Sequence, residues 1–171
     1  QTDYVDIYQA HRFDYETPLD ETIRAFADLV RMGKVLYIGV SEWTAQQIQD
    51  GHDLAEDLGV HLISNQPQYS MLWRVIESDV MPVCVSLGIS QVVFSPIAQG
   101  VLTDRYLAGI PEGSRASRPG SMSPDQLSEE TMAKVRTLNE IAQGRGQTLA
   151  QLALAWTLRD PRMTSTLVGA S

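Results

Sequence analysis

Residues 3–11 read Asp3-Tyr4-Val5-Asp6-Ile7-Tyr8-Gln9-Ala10-His11, an apolar segment that ends in a histidine. Five apolar runs, the first of them within this segment, are predicted as strands: 5–9, 35–39, 61–64, 91–95 and 165–169. Runs this apolar are typical of strands that are buried on both faces of a parallel sheet. Most of them are followed by a small or polar residue, and barrel enzymes place their chemistry where parallel strands end.

Helix signals separate the first four strands. Thr17-Pro18 is expected to supply an N-cap and a first-turn proline for the first helix, and Gly33 is expected to end it. Residues 45–55 show the apolar periodicity of a second helix, and a third is expected to begin near Ser78 or Asp79. Strands and helices that alternate at roughly thirty-residue intervals predict βαβ units and parallel pairing.

The interval before the fifth strand breaks this rhythm. Residues 103–127 are rich in Gly, Ser, Pro and Arg, and long connections in compact domains usually bind or cover something. Ser128 and Thr148 are predicted to cap two further helices, the second of which Asp160-Pro161 ends. The apolar face of the first of these helices is predicted to consist of Met132, Val135, Leu138 and Ile141.

Composition excludes several classes of function. The net charge of −8 and the pI near 4.7 disfavour nucleic acid, because phosphate binding needs a basic face. The sequence has no leader pattern and no apolar run of about 18 residues. We therefore expect a cytoplasmic location and no membrane partner. Cys84 is the single cysteine, which excludes an internal disulfide and predicts no metal site. We expect it to pack within a helix.

Length limits the architecture further. The chain has 171 residues and a hydrophobic content of 43%, which is enough to bury a core. A complete (β/α)8 barrel usually needs about 250 residues. The sequence is therefore too short for a whole barrel of this kind.

The segment Ser95-Pro96-Ile97-Ala98-Gln99-Gly100-Val101-Leu102-Thr103, with residues 3–11 and Gly39-Val40-Ser41, resembles the aldo-keto reductase superfamily. Residues 110–117 resemble the corresponding segment in the branch of this superfamily that contains potassium-channel β subunits and related bacterial reductases. The resemblance covers nearly the whole chain and implies an α/β fold, a partial (β/α)8 TIM barrel corresponding to strands 4 to 8 with their helices. Residues 1–171 are then the C-terminal portion of that barrel, an incomplete domain. The implied activity is NADPH-dependent reduction of aldehydes or ketones to alcohols.

His11 is the catalytic residue that this resemblance implies. At this strand end the family places a residue that orients the substrate carbonyl and assists a tyrosine proton donor. An imidazole suits the task, because one ring nitrogen can donate while a neighbour fixes the other. From the residues alone, a hydrogen-bonded structural histidine remains the alternative.

The resemblance also implies a nicotinamide pocket. Ser41 and Gln66 match positions that hydrogen-bond the carboxamide, a group that needs hydroxyl and amide partners. Phe94 matches an aromatic that stacks on the nicotinamide ring, with ordinary core packing as its alternative. Glu42 departs from the pattern, because many family members carry asparagine or arginine there.

The rest of the implied NADP site binds phosphate groups. The pyrophosphate turn would use Ser95, Pro96, Ile97, Gln99 and Gly100. Arg105 and Arg115 would bind the adenosine 2′-phosphate, for which a guanidinium is well suited; solvated surface arginines are the alternative. Gly169 and Ser171 would lie near the same phosphate.

The family's catalytic tyrosine, lysine and aspartate precede the region that this chain matches, so we expect the chain to be inactive alone. An incomplete barrel would expose two unpaired sheet edges. Such edges favour self-association, so a homo-oligomer is a possible partner state. Two interpretations remain open: part of a carbonyl reductase, or a non-enzymatic NADP-binding redox-sensing subunit or self-associating half-barrel. His11 favours the reductase, because channel subunits commonly carry asparagine at that position.

Overall fold

Five parallel strands form one sheet in the computed structural model, which describes residues 2–169. The strands are β1 (Val5–Ala10), β2 (Val35–Val40), β3 (Leu62–Asn65), β4 (Ser90–Val93) and β5 (Met163–Thr166). Their order in the sheet is their order in the chain, and every neighbouring pair is parallel. The predicted fold class is confirmed: the chain is an α/β protein with five strands of a partial (β/α)8 barrel.

The strand bounds differ most from the prediction at β5. The predicted strand, 165–169, begins two residues late, because Gln91 on β4 already pairs with Met163. The ladder ends where the backbone N–H of Leu167 donates to the carbonyl of Val93 at 2.8 Å. Strand β5 thus includes the polar residues that precede the apolar residues Leu167 and Val168, and Val168 is exposed.

Within residues 2–169, five α-helices connect the strands. They are α1 (Leu19–Arg31), α2 (Ala45–Asp57), α3 (Val80–Ser86), α4 (Glu129–Gly144) and α5 (Leu149–Thr157). The predicted caps Ser128 and Thr148 each accept a hydrogen bond from the first turn of their helix, and α3 begins near Asp79, as predicted, with that side chain accepting from the N–H of Val80. The interval from 103 to 127 contains only short 3-10 turns, as its composition predicts.

Two helix predictions are wrong in detail. Thr17 does not cap α1: Pro18 is the N-cap, with extended angles of φ −54° and ψ 135°, and the Thr17 hydroxyl donates to Asp14 instead. The Pro18 ψ is not helical, and its carbonyl accepts a hydrogen bond from the N–H of Thr22 at 3.3 Å, so the helix begins one residue later than predicted. Ile141 is exposed on α4, and its neighbour Ala142 is buried in its place.

The helix-covered face of the sheet carries the main core. Ile38, Val40 and Val93 on the strands are each no more than 1% exposed, and they pack with buried residues of α1, α2 and α3. Cys84 on α3 is buried in this core, as predicted, and burial raises the pKa of its thiol to about 11. The thiol is therefore protonated at neutral pH and is unsuited to nucleophilic chemistry.

The opposite face of the sheet is open. Val5, Ile7 and Tyr37 lie on it and are 40%, 42% and 46% exposed. Further along, the Gln9 amide donates to the Ser64 hydroxyl at 3.2 Å across Gly39. A Cβ at Gly39 would lie 2.3 Å from that hydroxyl oxygen, so only glycine permits the contact. In a closed barrel this face is the one that lines the interior.

A second core anchors the long segment after β4. Val101, Leu102 and Tyr106 are buried against Val135 of α4 and Leu149 of α5. This packing fixes the segment that follows the strand end of β4, where phosphate binding is predicted.

Candidate functional site

The carboxyl ends of β1 to β4 meet at one edge of the sheet, and a predicted site residue follows each of them. His11 comes directly after β1, Ser41 after β2, Gln66 after β3 and Phe94 after β4. The register aligns Ala10 with Val40 and Val40 with Asn65, so the first three lie on neighbouring strand ends. The structure thus brings together the four residues that were predicted to lie near the nicotinamide and the substrate. We call this set the strand-end cluster.

His11 is exposed at the edge of the sheet. Its imidazole makes no hydrogen bond within residues 2–169. Both ring nitrogens are consequently free to meet a ligand or a further segment of protein. The structural alternative, a histidine fixed by hydrogen bonds of its own, finds no support in this part of the chain.

Ser41 and Gln66 are joined directly. The buried Ser41 hydroxyl donates to the Gln66 carbonyl at 2.6 Å, and the Gln66 N–H donates to the carbonyl of Val40 at 2.8 Å. With its hydrogen committed, the Ser41 oxygen retains lone pairs that can accept. The Gln66 side-chain amide makes no hydrogen bond within residues 2–169, which leaves a donor and an acceptor for a ligand. This donor set fits a carboxamide.

Phe94 continues the pairing of β3 and β4 beyond the regular strands. Its N–H donates to the carbonyl of Pro67 at 3.0 Å, and its carbonyl accepts from the N–H of Tyr69 at 3.2 Å. These bonds form an isolated parallel bridge with Gln68. The half-buried Phe94 therefore has a fixed backbone position beside the segment that carries Gln66.

The turn after Phe94 has an unusual backbone. Ser95, Ala98, Gln99 and Gly100 all have positive φ, at 56°, 48°, 57° and 98°. The N–H groups of Ile97 and Gln99 donate to no acceptor among residues 2–169. Backbone N–H groups left free in such a turn form anion-binding concavities. The predicted pyrophosphate turn thus has donors suited to a diphosphate.

The remaining predicted phosphate ligands follow the turn, in the long segment and at the C-terminal end of the described residues. Arg105 and Arg115 are exposed, and neither forms an ion pair with the described part of the chain. Gly169 is the last described residue and is exposed. Ser171, also predicted to contact the adenosine phosphate, lies outside the described residues.

Glu42 makes contacts that the sequence analysis missed. Its backbone is left-handed, with φ 59°. One carboxylate oxygen accepts from the N–H of Gln68 at 2.5 Å, and the other pairs with the guanidinium of Arg12 at 3.1 Å. The side chain thus contacts the segments that follow β1 and β3. The signal available in the sequence was only the departure from asparagine or arginine at this position.

An aromatic and charged cluster supports the segment after β3 from α5. Tyr69 stacks on Trp156 with ring centroids 5.1 Å apart and donates its phenolic hydrogen to Glu77 at 2.7 Å. The guanidinium of Arg159 lies 3.6 Å from the Trp156 ring centroid. Hydrogen bonds from Arg74 lower the pKa of Glu77, so that carboxylate is ionised at neutral pH. Cation–π contacts and buried stacking stiffen this connection.

A cavity of about 680 Å³ opens between the segment after β3, the turn after β4 and the long segment that follows it. Gln68 and Trp73 line it from the segment after β3, Gln99 from the turn, and Met122 and Asp125 from the long segment. Only Gln99 belongs to the predicted cofactor residues. The cavity therefore adjoins the predicted NADP site without coinciding with it.

Two further classes of site find no support in residues 2–169. No group of three or more His, Cys, Asp or Glu side chains is placed to bind a metal ion there. Within the same described residues, no helix is long and apolar enough to cross a membrane.

Polar side chains and free backbone donors that follow the carboxyl ends of parallel strands are the arrangement expected at the site of a (β/α)-barrel protein. The aldo/keto reductase family profile matches residues 1–171. The chain belongs to the aldo/keto reductase family.

Similar curated proteins include members of the two groups that the resemblance indicates. L-glyceraldehyde 3-phosphate reductases of Escherichia coli O157:H7 and of strain K12 are 42% and 41% identical over 174 residues, covering 99% of this chain and 50% of each relative. A putative voltage-gated potassium channel subunit beta of Schizosaccharomyces pombe is 40% identical over 174 residues, covering 98% of this chain and 51% of that protein. The chain spans about half the length of the curated relatives it matches.

Proposed function

We propose that residues 1–171 are the C-terminal part of an NADPH-dependent reductase that converts aldehydes or ketones to alcohols. The observation that carries this proposal is the strand-end cluster beside a turn with unused backbone donors. Family membership supports oxidoreductase chemistry in general.

NADPH, which supplies the hydride, fits the groups present in the chain. Ser41 and Gln66 would bind the carboxamide, the free N–H groups of Ile97 and Gln99 the diphosphate, and Arg105 and Arg115 the 2′-phosphate. Each partner matches its ligand in chemistry: hydroxyl and amide for the carboxamide, backbone N–H and guanidinium for phosphate. Held at these points, the cofactor would present its nicotinamide beside Phe94 at the strand ends.

His11 would act on the substrate. A ring N–H of its imidazole would donate a hydrogen bond to the carbonyl oxygen, which gains negative charge as the hydride arrives at carbon. The family resemblance assigns the final proton to a tyrosine, supported by a lysine and an aspartate. In this proposal those three residues come from a part of the protein outside the present chain.

The substrate class follows from the reductase-named relatives. Proteins named L-glyceraldehyde 3-phosphate reductase are 41% and 42% identical to this chain. We therefore propose a small carbonyl compound, with short phosphorylated and unphosphorylated aldehydes as the first candidates.

A second candidate function is an NADP-binding subunit that senses redox state without rapid turnover. The observation in its favour is 38–40% identity to proteins named as potassium channel subunits beta. It would use the same cofactor groups but would not require a histidine at position 11.

The test is a turnover assay on the complete gene product. The protein is mixed with NADPH and with a panel of L-glyceraldehyde 3-phosphate, glyceraldehyde, benzaldehyde and simple ketones, and NADPH absorbance is followed. Loss of absorbance that depends on both protein and carbonyl compound supports the reductase. Tight NADPH binding with no turnover across the panel would favour the sensing subunit, and failure to bind NADPH would exclude both.

A further inference from the structure

Glu42 occupies a backbone conformation that its residue type does not favour. Its φ of 59° lies in the left-handed region, which glycine and asparagine adopt far more readily than glutamate. Such a residue persists where its surroundings demand it, and residues of this kind concentrate at functional sites. We therefore expect the Glu42 side chain to make contacts that a shorter or smaller side chain would not make.

Those contacts connect three strand ends. The Glu42 carboxylate accepts the N–H of Gln68 with one oxygen and pairs with the Arg12 guanidinium through the other. Arg12 follows His11 directly, Glu42 follows Ser41 directly, and Gln68 lies two residues after Gln66. One side chain therefore connects the backbone segments that carry three members of the strand-end cluster.

The same contacts direct the carboxylate toward Arg12 and Gln68. Both carboxylate oxygens of Glu42 have partners within the protein. The negative charge of the side chain therefore needs no ligand to neutralise it. An asparagine side chain is one methylene shorter and has a single acceptor oxygen, and so could not make both contacts.

We propose that Glu42 is a positioning residue for carbonyl reduction, acting through Arg12 and Gln68 to fix His11, Ser41 and Gln66 relative to one another. This inference rests on the proposed function, because the geometry that it maintains is that of hydride transfer. A misplacement of about 1 Å can cost roughly a hundredfold in rate. A partly exposed ion pair contributes little to stability; here the Glu42 and Arg12 side chains are 25% and 54% exposed.

The test compares two variants of Glu42 in the complete gene product. Glu42→Asn suits the left-handed backbone but is too short for both contacts. Glu42→Gln keeps the length and an acceptor oxygen for the Gln68 N–H but lacks the charge that pairs with Arg12. Glu130→Gln is the matched control, since Glu130 is an exposed carboxylate that pairs with Lys134 on α4 at 2.7 Å.

The measurement is a stopped-flow single turnover with NADPH and the aldehyde that the wild type reduces fastest. The rate constant reports the hydride-transfer step, and the amplitude reports the fraction of folded, loaded protein. We expect a rate constant lowered about tenfold or more in Glu42→Asn and about threefold in Glu42→Gln, with amplitudes and thermal midpoints near those of the wild type. NADPH affinity should change by less than about threefold, because the phosphate contacts remain.

Arg12→Gln tests the pair from its other member and does not depend on the folding of a Glu42 variant. We expect it to lower the rate constant as much as Glu42→Gln does. The double variant Arg12→Gln/Glu42→Gln should show no further loss, because both substitutions break the same ion pair. A wild-type rate constant in Glu42→Asn, or independent losses in the double variant, would overturn the positioning role. Wild-type protein that neither binds nor oxidises NADPH would instead overturn the proposed function, and this inference with it.

Discussion

The phenolic oxygen of Tyr106 accepts a hydrogen bond from the backbone N–H of Ala116 at 3.4 Å. Arg105 and Arg115 directly precede these two residues, so one contact brings both arginine positions to the same part of the molecule. The Tyr106 ring also lies beside the phosphate turn, since a Cβ at Gly100 would be 3.6 Å from its Cε2 atom. The backbone positions of both arginines therefore lie near the turn that is proposed to bind phosphate.

The first prediction concerns these arginines. Replacing Arg105 or Arg115 with Ala in the complete protein should weaken NADPH binding about ten- to a hundredfold, because each charge-assisted contact contributes roughly 1.5 to 3 kcal/mol. NADH affinity should be nearly unchanged, since NADH lacks the 2′-phosphate. Fluorescence titration with both cofactors measures the difference. Equal losses for the two cofactors, or no loss, would refute the assignment; Arg145→Ala is an exposed arginine control.

The second prediction concerns His11. His11→Ala should lower kcat for carbonyl reduction about 10²- to 10⁴-fold, because a positioned donor to the carbonyl oxygen is lost. NADPH affinity should stay within about threefold, since His11 is assigned to the substrate. Steady-state kinetics and cofactor titration give the two quantities. His61→Ala, which removes an exposed histidine paired with Glu56 at 2.8 Å, serves as the control; a similar loss there would point to a general effect on folding.

The third prediction concerns Ser41. Ser41→Ala leaves the Gln66 carbonyl without its side-chain donor in a buried position, which should cost about 1 to 3 kcal/mol of unfolding free energy. It should also weaken NADPH and NADH equally, because both carry the same carboxamide. Urea unfolding and paired titrations test the two parts. Ser86→Ala removes a similar serine-to-carbonyl bond of 2.8 Å at an exposed position and should change neither.

The fourth prediction concerns Asp160, which stabilises the turn before β5. Hydrogen bonds from the Arg162 side chain lower the pKa of this carboxyl from 3.8 to about 2. A folded-state pKa below the unfolded value means that the stabilisation is complete above the unfolded pKa and is lost as the pH falls toward the folded one. Asp160→Asn should therefore lower the free energy of unfolding at about pH 6, and the difference from wild type should shrink as the pH falls from about 4 toward about 2.

Urea unfolding at several pH values measures this dependence. Asp125→Asn offers a comparison, since Asp125 is exposed and makes no ion pair with the described part of the chain. A difference between wild type and Asp160→Asn that stays constant with pH would show that the substitution acts through packing and not through charge.

Sequence patterns were sufficient for the strands and for most helix ends, because apolar runs and capping residues act locally. The predicted N-cap at Thr17 was wrong because a threonine hydroxyl before a proline can either cap the helix or bind a nearby side chain. Here it donates a hydrogen bond to Asp14. The shift of β5 arose because register depends on Gln91 across the sheet, which periodicity within one segment does not report.

The site was predictable only as a set of strand-end positions. Parallel pairing places His11, Ser41, Gln66 and Phe94 at one edge, and that follows from the order of the elements. The double contact of Glu42 was not predictable, since it depends on a left-handed backbone and on the spacing of three separate segments. The stack of Tyr69 on Trp156 likewise joins residues far apart in the chain.

The order of the sheet has a consequence for synthesis on the ribosome. Each strand after β1 pairs with the strand that precedes it in the chain, so pairing can proceed in the order in which the strands are synthesised, beginning with the N-terminal ones. Strands β1 to β4 can associate while residues 94–162 are still being made. The phosphate turn and its two arginines lie in that late segment. We therefore expect the strand ends at His11, Ser41 and Gln66 to take shape before the proposed phosphate-binding part of the site.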